Sequence, residues 1–347
     1  MTLPPEWWPQ SAVMLTWPHA HGDWGDNLPA VEHCFVQIAT AISQHQRLII
    51  SAYDAACRQN ILGKLRAASA NLENVDVYIV ASNDIWVRDH GPLTTIDNGR
   101  PTLLDFQFNG WGGKYTANLD NQLSASLQAQ NCFGPVPLHS ITKVIEGGGI
   151  EVNGQGCLLT TANCLTLETR NPGLSEPQLE EHFAQWFGCD KTHWLRSGHM
   201  VGDDTDGHID TLARFCSSDT IVYQSCADPD DEHFPALQAM AAELAEFRDQ
   251  NDKPYNLQSL PLPSALYNAQ GERLPAGYAN FLIINGAVLM PGYNDAADIE
   301  AAAILSTCFP DREVISIDCR ALVEQFGSLH CATMQLPFEV GASMTGL

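Results

Sequence analysis

The sequence predicts an α/β fold of repeated units, each a tight β-hairpin with an amphipathic helix, and about five units fit in the chain. Three observations predict it. Strand-like runs flank turn residues at four places, helical patterns lie between them, and the turns recur at a nearly constant interval. Residues 93–96 and 102–106 flank Asp97-Asn98-Gly99; residues 150–152 and 157–160 flank Asn153-Gly154. Residues 211–215 and 221–223 flank Ser217-Ser218-Asp219; residues 281–284 and 287–290 flank Asn285-Gly286. Asn-Gly between β-rich runs is a strong hairpin signal, because both turn residues must tolerate positive φ. Gly99 to Gly154 is 55 residues, Gly154 to Asp219 is 65, and Asp219 to Gly286 is 67.

The helical patterns come next. Residues 29–44 put Val31, Cys34, Phe35, Ile38 and Ile42 on one face. Asp54 is a cap for 55–68, and Ser175 for 176–187, where Pro177 falls in the permissive first turn. Residues 119–128 are a weaker candidate; 231–248 and 298–308 complete the set. A fifth unit assembles from residues 12–17 and 330–336, which closes a ring and removes exposed sheet edges. The competing architecture is an open α/β sheet with helices on both faces, although antiparallel hairpins argue against a purely parallel sheet. Residues 255–276, rich in Pro, Leu and Ser without periodicity, read as a long loop.

With 41 acidic against 17 basic residues, the formal net charge is −24. That field repels nucleic acid and anionic membranes and attracts cationic small molecules, although acidity also serves plain solubility. No apolar run approaches the ~20 residues that span a bilayer. Eleven cysteines, an odd and scattered set, lack a disulfide framework, and Met1-Thr2-Leu3-Pro4-Pro5-Glu6 lacks a basic-then-apolar leader. Reduced thiols in the cytoplasm are therefore expected. There is no Cys-x-x-Cys, His-Glu-x-x-His, Gly-x-Gly-x-x-Gly or Walker loop. Neither a metal nor an organic cofactor is expected; His19, His21 and His33 are expected at the surface. Oligomerisation with further copies of the chain stays open.

Four segments carry chemistry. Cys331 lies in a turn after Gly327-Ser328, whereas Cys164 and Cys216 sit within apolar runs. A reactive thiol needs a nearby cation, here His208 or the substrate itself. In Gly207-His208-Ile209-Asp210, a strand would turn His208 and Asp210 to one face, a general acid/base beside an anion. Asp89 precedes a small turn in Trp86-Val87-Arg88-Asp89-His90-Gly91-Pro92, and Trp86 suits the face of a cation. Glu146 stands before three glycines, where it suits orienting His208. Each motif alone is read as easily as a structural feature: a satisfied His–Asp pair, a core Trp, a flexible turn, a buried thiol.

Together these segments resemble the agmatine deiminase and bacterial peptidylarginine deiminase family of guanidine-modifying hydrolases, within the pentein superfamily. The resemblance is carried by Pro5-Glu6-Trp7, Asn83-Asp84-Ile85-Trp86-Val87-Arg88-Asp89, Phe108-Asn109-Gly110-Trp111-Gly112, Glu146-Gly147-Gly148, Arg170-Asn171-Pro172, Asp206-Gly207-His208-Ile209-Asp210, the run at 274–281 and His330-Cys331. It implies a five-unit α/β propeller over a single 1–347 domain. It also implies Cys331 as nucleophile, His208 as general acid/base, Asp89 and Asp210 as guanidinium-gripping carboxylates and Glu146 as support for the histidine. Trp86 would line the site, and Asp84 and Asp204 are the further candidates for substrate binding. His90 stands where some relatives have Thr or Ser, and is expected to add a second titrating group near the site. Met334-Gln335 replaces a more polar pair.

Agmatine is the first choice of substrate, since its second positive charge suits an acidic chain. Free arginine needs a cation for its carboxylate, and the motifs offer only Arg88. A peptidylarginine enzyme and a non-catalytic binding propeller are the rivals. A papain-like protease would place its cysteine before its histidine, the reverse of the order here.

Overall fold

All four expected hairpins form in the computed structural model, which describes residues 1–340. Residues 341–347, the end of the span expected as one domain, lie outside the described residues. Leu93–Asp97 pairs antiparallel with Arg100–Phe106, Ile150–Val152 with Cys157–Thr161, Ala213–Ser217 with Thr220–Gln224, and Leu282–Ile284 with Ala287–Gly292. The first turn shows why Asn-Gly is used: Asn98 and Gly99 take φ of 50° and 75°.

Each unit also holds a strand that the turn signals do not announce. Leu138–Ile141, Lys191–Leu195, Asn256–Leu260 and Glu313–Asp318 each lie parallel to the second strand of their hairpin. A parallel neighbour requires a crossover, and the helices supply it. They are Leu123–Ala129, Glu176–Phe187, Phe234–Glu246 and Ala297–Cys308. Residues 255–276, expected as loop throughout, therefore contribute the strand Asn256–Leu260, because Thr220–Gln224 offers it a parallel edge.

The fifth unit joins the two ends of the chain. Gln10–Thr16 pairs antiparallel with Thr333–Pro337 and parallel with Arg47–Ala52, which extends to Val75–Ile79. Successive units are tied in order. Phe106 packs on Phe187, Asn153 Nδ2 donates to Ser218 O at 3.0 Å, and Arg214 Nη1 donates to Phe281 O at 2.7 Å. Gln10 N donates to Asn285 Oδ1 at 3.0 Å, and Thr2 bridges back to Ile96. These five links close the ring, so the architecture is the five-unit α/β propeller and not the open sheet.

Helix Leu28–His45 buries the expected face, Val31, Cys34, Phe35, Ile38 and Ile42, in a core shared with Ile50, Val288 and Leu289. Full burial of each large side chain contributes about 1.5–3 kcal/mol. Asp54 caps Ala55–Ala67 by accepting from Cys57 N at 2.7 Å. Ser175 and Gln178 form a capping box on Glu176–Phe187, and Gly188 ends that helix in the left-handed region. His19 departs from expectation: it is buried, packed at a tilt on Tyr53 with ring centroids 4.4 Å apart and bonded to Ser82, while His21 and His33 are exposed. Among the described residues, no helix is long and apolar enough to cross a membrane.

Candidate active site

Short turns, not strands, carry the chemical groups. Asp89 lies on the single helical turn Val87–His90, and Glu146 immediately precedes the 3-10 turn Gly147–Gly149. A strand would have turned His208 and Asp210 to one face, but none forms here. Instead Asp206 and Gly207 take φ of 66° and 93°, and the chain enters the 3-10 turn Ile209–Thr211. The two side chains still reach one place, because this turn packs against Gly147–Gly149. Cys331 comes just before Thr333–Pro337, and its carbonyl accepts from Arg88 N at 3.2 Å.

The meeting point is Gly148. A Cβ on it would lie 2.6 Å from His208 Nδ1, 2.9 Å from Asp89 Oδ1 and 3.1 Å from Asp210 Oδ2. Its N–H donates to Asp89 Oδ1 at 3.0 Å. Cys331 Sγ lies 3.7 Å from Asp210 Oδ2 and 3.2 Å from Asn280 Nδ2. Cys331, Asp89, Trp86 and Trp111 line a cavity of about 220 Å³, whose walls include Asp23, Asp84, Tyr115, Asp204 and Phe326. Gly327 lies flat on the Trp86 ring, where a Cβ would come within 2.3 Å of it.

His208 is fully buried, and its Nε2 sits 2.9 Å from Glu146 Oε2. Burial opposes its charge, but Asp89, Cys164 and Glu146 outweigh this and raise its pKa well above the ordinary 6.5. Burial also opposes the charge of Glu146, yet His208 and Arg170, whose Nε is 2.8 Å away, hold the carboxyl below its usual value. Asp89 is pushed up to about 6 by burial, against the pull of His208. Trp111 Nε1 donates to its Oδ2 at 3.0 Å. Burial, then Asp210 and Asp89, push the Cys331 thiol well above its ordinary range. Asp210 is driven upward by burial but held lower overall by His330, whose Nδ1 is 2.8 Å from Oδ2. His208 Nδ1 and Asp210 Oδ1 are buried without a protein hydrogen-bond partner, and Nδ1 lies against Gly148.

The remaining candidates divide. Asp84 lines the wall, and burial pushes its carboxyl up to about 6. Asp204 lines it too, but it is already engaged by Tyr115 Oη and by Lys114 Nζ at 3.5 Å. His90 does not add a titrating group to the site: it is buried against Phe108 and Thr16, and burial pushes it down to about 3, so it stays neutral. Arg88 turns away from the cavity toward Glu6 at 3.7 Å and His330 O at 3.4 Å.

Arg170, Trp111 and Asn280 hold the site together, yet sequence reasoning gave them no role although all three fall in quoted motifs. Asp23 carried no signal at all. Cys164, read as core filler, lies 3.7 Å from Glu146 Oε2. Glu146, Cys164 and His208 bring three ligand-type atoms within 4.8 Å of one another. The Arg170 guanidinium on the same Glu146 oxygen opposes a cation there.

The model of the Porphyromonas-type peptidyl-arginine deiminase family matches residues 2–337. The chain is 32% identical to an agmatine deiminase of Pseudomonas syringae pv. tomato over 96% of this chain and 95% of that one. It is 48% identical to a putative arginine deiminase from Porphyromonas gingivalis, whose crystal structure matches with a TM-score of 0.90 over 97% and 98% of the two chains. The agmatine deiminase of C. jejuni with substrate bound matches at 35% identity and a TM-score of 0.89, over 96% of each chain.

Proposed function

Because this chain belongs to the Porphyromonas-type peptidyl-arginine deiminase family, we propose that it hydrolyses the guanidinium group of agmatine, giving N-carbamoylputrescine and ammonia. It is a hydrolase of C–N bonds. The observation that carries the reading is the clustering of four groups: Cys331 and Asp89 line one cavity, Asp210 stands beside the Cys331 sulfur, and His208, Asp89 and Asp210 close together on Gly148.

Asp89 and Asp210 grip the planar guanidinium by charge-assisted hydrogen bonds and keep it cationic. Before substrate arrives the thiol keeps its proton, because it is buried and two carboxylates face it. The arriving cation reverses that field, the thiol proton passes to solvent, and the thiolate attacks the central carbon. His208 starts protonated, as its raised pKa favours, and gives a proton to the departing nitrogen, so ammonia leaves. An amidino-thioether on Cys331 remains. The neutral imidazole then takes a proton from water, the oxygen adds to the carbon, and the C–S bond breaks. A urea is released and the sulfur recovers its proton. Glu146, fixed by Arg170, holds the ring through Nε2 and leaves Nδ1 to the substrate.

Agmatine is preferred over free arginine because Asp23 and Asp84 would face an α-carboxylate, and Arg88 is turned away. Asp84 is the receptor for the distal ammonium, with Trp86 against the chain; Asp204 is a weaker one, since Lys114 and Tyr115 already hold it. The eleven cysteines are free, which supports a reducing cytoplasmic setting, and one catalytic domain is proposed for the whole chain. The test is ammonia release from agmatine, arginine and an arginine peptide. Agmatine should give the highest kcat/KM, and a preference for either rival would replace this substrate.

A further inference from the structure

Glu6 and His330 form a buried hydrogen-bonded pair that the reaction above does not use. His330 Nδ1 is 2.8 Å from Asp210 Oδ2, and His330 Nε2 is 2.7 Å from Glu6 Oε2. Ionised carboxylate oxygens only accept, so both ring nitrogens donate and the ring is gripped at both ends. Glu6 is itself fixed: Arg214 Nη2 reaches Oε2 at 2.9 Å, and Ile283 N donates to Oε1 at 2.7 Å. Arg214 is fully buried and is held in turn by Glu151 and by Phe281 O.

We propose that His330, braced by Glu6, is a positioning residue for the deimination: it occupies one oxygen of Asp210 and so presents the other to the guanidinium. Oδ1 of Asp210 is the oxygen without a protein partner. The backbone of His330 serves the thiol as well, since its N–H donates at 2.9 Å to Asn280 Oδ1, and Asn280 Nδ2 reaches Cys331 Sγ at 3.2 Å. One residue thus sets the carboxylate with its ring and the sulfur's amide neighbour with its backbone. A purely structural ion-pair network is the competing explanation, and buried pairs of that kind are common.

Substitution separates the two. Asn places its amide nitrogen near the position of Nδ1, and Gln near that of Nε2. His330→Asn therefore keeps the donor to Asp210 and loses Glu6, whereas His330→Gln keeps Glu6 and loses Asp210. The proposal rests on the deiminase reading, so the unmodified protein is assayed first. No ammonia from any guanidine would reject that reading rather than the role of His330.

With the wild type active, kcat/KM for its best substrate should fall on the order of 10²-fold in His330→Gln and within about tenfold in His330→Asn. The acid limb, set by Asp89 near 6 in the wild type, should move to higher pH in His330→Gln, because Asp210 loses the hydrogen-bond donor that offsets its burial, a donor that His330→Asn retains. The groups facing Asp210 and His330 are Glu6, Arg88, Asp89, Glu151, His208, Arg214 and Cys331. Only the link to His330 differs between the variants at Asp210. Thermal melts establish the folded fraction of each. Equal losses in the two variants, or an acid limb that stays in place, would overturn the proposal. If either fails to fold, Glu6→Gln is the deciding variant: a shift of the same limb in the same direction supports the brace, and an unmoved limb refutes it.

Discussion

Gly148→Ala adds one carbon where three functional groups meet. The backbone at 148 is outside the left-handed region, so alanine carries no conformational penalty of that kind, and the clash is isolated. The new Cβ would lie 2.6 Å from His208 Nδ1 and 2.9 Å from Asp89 Oδ1, where ordinary contact begins near 3.4 Å. The imidazole would have to withdraw by about 0.8 Å, and misplacement on the order of 1 Å costs about 10²-fold. That is about 2.7 kcal/mol of transition-state stabilisation. His208 is fully buried and tied to Glu146, so it has little room to yield. Overpacking should also lower stability by about 1–3 kcal/mol. Gly149→Ala is the internal control, because its Cβ would meet nothing closer than 3.6 Å. Steady-state ammonia release at several agmatine concentrations, with melting curves for both variants, measures the effect. A folded Gly148→Ala protein with kcat/KM within about threefold of the Gly149→Ala control would refute the geometry assigned to the floor.

Cys331→Ser should abolish turnover while the melting curve is retained, and turnover near that of the wild type would remove the covalent route. Asp89 has a free-enzyme value of about 6, so guanidinium binding should weaken as pH falls through 6; a kcat/KM profile flat from pH 7 to 5 would contradict this. Trp111→Phe deletes the N–H donated to Asp89, which should push that acid limb upward, and a downward shift would place the bond elsewhere. Asp84→Asn should raise the KM for agmatine a few-fold, roughly 0.5–1 kcal/mol for a partly exposed pair, while an arginine peptide is little affected.

Much of the ring was legible because tight turns write themselves locally. Asn98-Gly99 and Asn285-Gly286 announce hairpins without knowledge of any distant residue. The parallel third strands were hidden for the opposite reason. Leu138–Ile141 is only four residues long and half exposed, and its partner lies across a helix. Of the residues named from their motifs, Cys331, Asp89, Trp86, Asp84 and Asp204 line one cavity, His208 and Asp210 stand beside Gly148, and Glu146 is bonded to His208, yet the local conformation of His208 and Asp210 was not legible. Periodicity does not reveal that Asp206 and Gly207 turn through positive φ. Side-chain direction separated His90 from Asp89, its equally buried neighbour: one faces Thr16, the other the cavity, and no spacing rule distinguishes them. Glu6 was invisible as a functional group because its partner is 324 residues away in the chain.

The pairing of Gln10–Thr16 with Thr333–Pro337 joins segments far apart in the sequence. Glu6 stands shortly before the first of these strands and Cys331 just before the second, so one seam both closes the ring and brings the thiol's turn against a distant carboxylate. Parting that seam alone would leave the other four blades with their own hairpins and crossovers, yet dismantle the thiol's surroundings.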